Sequence, residues 1–273
     1  MRYIFIFILI ILIVNRFVKT EEFSNTNKNL IFEFKLGYGG IGDFIKFMRL
    51  CKNDSIKENK NFYINLDHPM NKFIKINPKF KFNNKIKNIT IRKPFEYYGK
   101  YPTSYYLNLN KINKFNPMDY FKFSDDCLQN LSDLKKKNKI PDNYEAIHIR
   151  LGDSKMEGLN SKDDRTDKIN IYEKVNDLVL KNKKKIFVLF MDNDKVKKEI
   201  SSKYKNVKMV DIKIIHTSEC YDKKSRDLNL KNNICDFILL AQAKKIHSIT
   251  YSGFSIVASW LYSKPFIKYY ESD

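Results

Sequence analysis

The chain has 273 residues, enough for two compact lobes or one large domain, and its 43% hydrophobic and 14% aromatic content excludes an intrinsically disordered class. Its formal net charge of +20 comes almost wholly from lysine interleaved with asparagine and isoleucine, as at residues 57–61, 83–88 and 181–185. That mixture describes a solvated lysine face, and without a zinc-finger, RNP or helix-turn-helix pattern it argues against a nucleic-acid partner. In so lysine-rich a chain, an arginine inside a motif signals a need for a planar, bidentate fork, which singles out Arg150. Cys51, Cys127, Cys220 and Cys235 have neither paired C-x-x-C spacing nor a nearby histidine, so buried free thiols are expected rather than zinc ligands.

In chain order, residues 3–14 form an unbroken apolar run with Arg2 before it and Asn15 and Arg16 after it. Residues 1–19 are therefore expected to be a signal anchor or signal peptide, touching a membrane through residues 3–18. No small-residue cleavage pattern follows, which favours a retained single-pass anchor; cleavage would make the protein secreted. Residues 20–29 are a polar stem.

From residue 30, short apolar runs alternate with longer helix-like stretches, the pattern of an α/β chain with parallel strands. A strand is expected at 30–35, a glycine turn at 37–42 and a helix at 43–51. Further strands are expected at 61–67, 86–92 and 105–109, within an N-terminal, acceptor-side lobe of residues 30–140. The lysine-rich stretch 134–140, ending before Pro141, reads as a linker. A C-terminal lobe, 141–273, follows with strands at 144–151, 185–191, 207–212 and 248–251 and helices at 171–180, 194–204, 234–244 and 255–262.

Three motifs carry chemistry. The run His148-Ile149-Arg150-Leu151-Gly152-Asp153 leaves an apolar strand, so His148 and Arg150 share one face at its C-terminal end, where open α/β sheets bind ligands. Arg150 is suited to grip a diphosphate, Gly152 to allow a tight turn, and Asp153 to hold that turn or orient the arginine. Tyr251-Ser252-Gly253-Phe254-Ser255 lies where a strand passes into a helix, and free N–H groups there suit a phosphate. The glycine turn containing Gly40 and Gly42, followed by Asp43, lets a ligand approach the backbone but lacks the G-x-G-x-x-G order. The triplet Asp192-Asn193-Asp194 has a D-x-D form, yet it opens a helix after a buried strand, so helix capping is its expected role.

In this order the motifs resemble the superfamily of α1,2-, α1,6- and protein O-fucosyltransferases. The family's G-G-x-G-N-Q is similar to Gly39-Gly40-Ile41-Gly42-Asp43-Phe44, and its H-x-R-x-G-D is matched by His148 to Asp153. Its closing elements look like Asp236-Phe237-Ile238-Leu239-Leu240, Lys244-Lys245, Ser252-Gly253-Phe254-Ser255 and Trp260. The resemblance implies a GT-B-like fold of two Rossmann-like lobes after the N-terminal hydrophobic helix. It also implies inverting transfer of fucose, or a related sugar, from a GDP-sugar such as GDP-fucose to a glycan acceptor, with no metal or other cofactor.

On that resemblance Arg150 binds the β-phosphate, Ser252, Gly253, Phe254 and Ser255 cradle the diphosphate, and His148 and Asp236 lie beside the guanine. The chain departs from the family where Asp43 replaces Asn and Phe44 replaces Gln, and where Gly253 replaces a serine. An aspartate at 43 is placed to act as general base toward an acceptor hydroxyl, and its charge also opposes the diphosphate. The rival readings are a nonenzymatic glycan-binding or surface protein on a degenerate transferase fold, and a basic membrane-associated protein that binds nucleic acid.

Overall fold

The computed structural model describes residues 28–112, 115–152, 170–212, 214 and 223–271. The expected anchor at 1–19, most of the stem, Asp153 and Cys220 lie outside them. Among the described residues no helix is long and apolar enough to cross a membrane.

The N-terminal part begins with β1 (Asn29–Lys35), whose run of Leu, Ile and Phe is buried along nearly its whole length. A parallel sheet in the order β2-β1-β4 forms around it, with β2 (Asn61–Asp67) on one side and β4 (Ile89–Arg92) on the other. The crossover from β1 to β2 is α1 (Ile41–Lys57). An antiparallel pair, β3 (Ile74–Ile76) with β5 (Phe121–Phe123), completes this part. Two expectations change here. Residues 105–109, expected as a strand, lie inside α2 (Thr103–Ile112). The supposed linker at 134–140 begins within α3 (Asp125–Lys137), and Leu134 and Ile140 are buried in the core. Lys135, Lys136 and Lys137 occupy the last turn, where they complement the negative helix end.

The C-terminal part is a five-stranded, wholly parallel sheet. Its strands are β6 (Glu145–Ile149), β7 (Phe187–Met191), β8 (Val207–Met209), β9 (Ile246–Ser248) and β10 (Phe266–Lys268), in the order β10-β9-β6-β7-β8. Between them run α4 (Ile171–Lys181), α5 (Asp194–Lys203), α6 (Lys223–Gln242) and α7 (Gly253–Leu261). This is the doubly wound order, with its switch point between β6 and β9.

Period-two alternation covers both faces of the sheet. Ile147, Ile149, Leu189 and Met191 meet Val175, Leu178 and Ile200 from α4 and α5 on one side. Ala146, Val188 and Phe190 face the other core, where α6 and α7 pack. That second core continues without a break into α1 and β1, so the two parts share one apolar interior. Helix α6 starts well before residue 234, where the sequence suggested, because its first half is polar. Residues 234–241 are buried all round, which marks a helix enclosed on every side.

Candidate active site

The C-terminal ends of β6 and β9 and the N-terminal ends of α1 and α7 converge on a cleft of about 290 Å³. One wall comes from Gly40, Gly42, Asp43 and Lys46, the other from His148, Arg150, Asp192, Asp236, Ser252, Gly253 and Phe254. Residues more than 200 positions apart in the chain thus face one another because two parallel sheets each open at a switch point.

Both the backbone and the side chain of Arg150 are anchored. Its backbone N–H donates to Thr250 Oγ1 at 2.7 Å, and the Thr250 hydroxyl donates back to the Arg150 carbonyl at 2.9 Å. Its guanidinium pairs with Asp192 Oδ2 at 3.0 Å. The Asp192 carboxylate also accepts from the Leu151 N–H at 2.9 Å and the Gly152 N–H at 3.2 Å. Burial raises the Asp192 pKa, opposed by Arg150 and those amides. Asp192 is therefore not the helix cap expected from the sequence. The cap on α5 is Asn193, whose side chain accepts from the Val196 N–H at 3.0 Å. Gly152 has φ +104°, the turn role expected of it, but its N–H is taken by Asp192 and it does not line the cleft.

The N-terminus of α7 behaves differently from expectation in one respect. Ser252 is the N-cap residue without a side-chain capping bond, and the first N–H groups of the helix have no partner within it. Ser255, expected to offer its hydroxyl to a ligand, is fully buried instead. It bonds Ser248 Oγ at 2.9 Å and donates to the Ser252 carbonyl at 3.1 Å, so its side chain braces the strand-to-helix turn. The Phe254 ring stacks on His148 at 5.9 Å and meets Phe237 edge-on at 5.0 Å. A Cβ added at Gly42 would stand 3.5 Å from Phe254 Cα, so Gly42 is where the two walls touch.

Asp236 is only 4% exposed, yet it lines the cleft with Asn233, Ile214 and Met191. Desolvation pushes its pKa up to about 6, partly countered by Lys197. It sits in the interior of α6, which removes helix capping as its explanation. Among the described residues its Oδ1 has no hydrogen-bonding partner, an arrangement that costs free energy unless a ligand donates to it.

Asp43 projects from the first turn of α1 into the cleft. Its carboxylate accepts from the Gly40 N–H at 3.4 Å and pairs with Lys46 at 2.9 Å. The glycine turn shapes this corner: Gly39 has φ +110°, and a Cβ there would lie 2.3 Å from Asp43 Oδ2. Gly37, at φ +90°, has nothing within 4 Å of such a Cβ. Gly37→Ala should therefore introduce only left-handed backbone strain of about 1–2 kcal/mol, whereas Gly39→Ala adds displacement of the Asp43 carboxylate. Urea unfolding is expected to show the larger loss for Gly39→Ala, and equal losses would contradict this packing.

Sequence reasoning did not select Lys46, Asp192, Asn233 or Thr250 as site residues. Only Asp192 carried a signal, its place at the end of a fully apolar strand adjacent to β6. The thiols of Cys127 and Cys235 lie 3.9 Å apart in the core, away from the cleft, and Cys51 is also buried and free.

No family model matches the chain, and no curated protein matches its sequence. Its fold is similar to that of the NodZ alpha-1,6-fucosyltransferase in crystals soaked with GDP-fucose, with a TM-score of 0.50 over 86% of this chain and 92% of that one, at 11% identity. The fucosyltransferase NodZ from Bradyrhizobium aligns at TM-score 0.49 and 10% identity, over 87% and 96% of the two chains. An Arabidopsis thaliana FUT1 mutant in complex with GDP gives TM-score 0.41 and 11% identity over 89% of this chain and 52% of that one. The first of these alignments establishes a shared architecture: a mixed α/β fold with parallel sheets.

Proposed function

We propose that the protein is a glycosyltransferase of the fucosyltransferase type, moving fucose or a related sugar from a GDP-sugar to a glycan hydroxyl. The observation that carries this reading is the convergence, in one cleft, of Arg150, the open N-terminus of α7 and the buried Asp236 carboxylate. A diphosphate suits the first two, and a base that presents adjacent N–H donors suits the third. Arg150 neutralises the charge that grows on the departing β-phosphate as the bond to the anomeric carbon breaks. Asp43, on the opposite wall, takes the proton from the acceptor hydroxyl that attacks the other face of that carbon, which gives inversion.

No metal enters this scheme. The carboxylate of Asp192 is engaged by Arg150 and two loop amides, and the side chain of Asn193 caps α5. Residues 3–18 complete the reading as the segment that holds the enzyme at a membrane.

The test is calorimetric titration of GDP and UDP into the wild type and Asp236→Asn. Guanine N1–H and N2–H both donate to one carboxylate, whereas uracil offers a single donor flanked by acceptors. Each lost charge-assisted bond is worth about 1.5–3 kcal/mol, so at least a tenfold preference for GDP is expected, and Asp236→Asn should shrink it. The pH dependence has a definite sign. The ionised carboxylate accepts both donors and the protonated form does not, so GDP affinity should be level above about pH 6, where Asp236 is charged. Below that it should fall by about tenfold per pH unit, and the dependence should vanish in Asp236→Asn. Equal affinity of the wild type for GDP and UDP would overturn the GDP-sugar reading. Release of GDP and transfer of fucose from GDP-fucose, measured on the same preparation, separates an enzyme from a nonenzymatic GDP-sugar-binding protein.

A further inference from the structure

We propose that Lys46 is a second ligand for the donor diphosphate, and that its amine exchanges an ion pair with Asp43 for the phosphates when the donor binds. The inference rests on the GDP-sugar reading above and assigns a step to a residue outside the motifs that suggested it.

Lys46 stands one helical turn after Asp43 on α1, with Nζ 2.9 Å from Asp43 Oδ1 and its side chain only 18% exposed. The same amine lies 4.0 Å from where a Cβ on Gly253 would be. Gly253 is the first residue of α7, so Lys46 reaches across the cleft from the opposite wall and hangs over the open helix N-terminus. Its direction is set by aromatic rings: Nζ is 4.3 Å from the Phe47 centroid, 5.7 Å from Tyr106 and 5.9 Å from Tyr98. Those contacts favour the cation in this corner without saturating its three donors.

The charges then decide what happens on binding. Without ligand, Arg150 is balanced by Asp192 and Lys46 by Asp43, so the four groups sum to zero. The Asp192 carboxylate is buried and fixed by two backbone amides, so Arg150 stays where it is. Lys46 has a flexible stem and a partner that is one-third exposed, with 34% side-chain accessibility at Asp43, so it is the cation able to turn. A diphosphate carries more charge than one carboxylate and brings it to a less solvated place, so the phosphates win the amine. Asp43 then loses its cation and its carboxylate is free to accept a hydrogen bond from the acceptor hydroxyl, so that this contact forms only after the donor is seated.

The experiment is calorimetric titration of GDP and of guanosine into the full-length protein and four single variants, each checked by circular dichroism for a native fold. Lys46→Gln should raise the Kd for GDP about tenfold and leave guanosine unchanged, while Lys46→Arg, which keeps the charge, should restore most GDP affinity. Asp43→Asn, which frees the amine, should tighten GDP binding severalfold and abolish most transfer. Lys52→Gln is the control. It removes the same net charge from α1 at a residue outside the cleft wall, with Nζ over the Phe62 ring, and should leave GDP affinity unchanged. A wild type that binds GDP while Lys46→Gln binds it equally well overturns the exchange. So does an equal loss in Lys52→Gln, which would reduce the effect to net charge. A wild type that does not bind GDP removes the underlying reading instead.

Discussion

On the transferase reading proposed above, Arg150→Lys is expected to lower fucosyl transfer about 10²- to 10³-fold while leaving the thermal midpoint close to that of the wild type. Lysine keeps the charge and can retain a single contact to Asp192, but it cannot present two parallel N–H groups to a diphosphate. The loss therefore falls on the state in which phosphate charge grows, and removal of one well-placed donor from such a state typically costs this much. The fold is spared because the two bonds with Thr250 use the Arg150 backbone, and Asp192 keeps its bonds to the Leu151 and Gly152 amides. Turnover at saturating GDP-fucose, measured beside a circular dichroism melt, decides the matter. Near-normal turnover by a folded Lys variant would end the assignment of Arg150 to the leaving group.

The second large effect is on stability. Trp260→Ala should reduce the free energy of unfolding by about 3–5 kcal/mol, a large part of what a domain this size commands. Trp260 belongs to α7 and its ring covers the guanidinium of Arg49 on α1, with 4.6 Å between the Arg49 Cζ and the ring centroid. Arg49 is 0% exposed, donates to the Leu109 carbonyl at 2.7 Å and has the Phe115 ring at 5.2 Å. Burial lowers its pKa to about 10, still far above neutrality, so a charged group is enclosed at the junction of the two sheets' helices. Removing the indole opens a cavity and strips the cation of a ring worth roughly 2 kcal/mol when desolvated. Trp260→Phe retains a ring and should lose less than half as much. Urea unfolding must be followed by circular dichroism, because Trp260 is the chain's single tryptophan. An unchanged midpoint for Trp260→Ala would mean that the α1–α7 contact does not hold the two parts together.

In the C-terminal part the first three strands and the helices between them were legible because fully buried parallel strands read as unbroken apolar runs, as in residues 187–191, whereas the strand expected at 248–251 is β9 (Ile246–Ser248) and the short edge strand β10 was not anticipated. Arg150, His148 and the Ser252–Gly253 corner were legible because a strand end followed by glycine or serine is a local pattern. Other features were not local. The short aromatic and apolar run of 105–109 suits a strand or a helix, and only its packing against α7 and the Arg49 bond to Leu109 made it helical. The polar half of α6 shows no apolar period, since that helix is held by its enclosed second half.

The sequence by itself determined an α/β chain, the order of most elements of its C-terminal part and an arginine and a glycine corner at strand ends, because these depend on residues within a turn or two of one another. Tertiary structure alone decided that Asp192 clamps Arg150 instead of capping a helix and that Ser255 braces a turn instead of facing a ligand. It also decided that Lys46 reaches the opposite wall and that Asp236, already placed beside the base by family resemblance, is almost wholly buried where it lines the cleft. Each of these depends on which distant group desolvates or pairs with the side chain, and that is set by how two sheets and their helices close on one another.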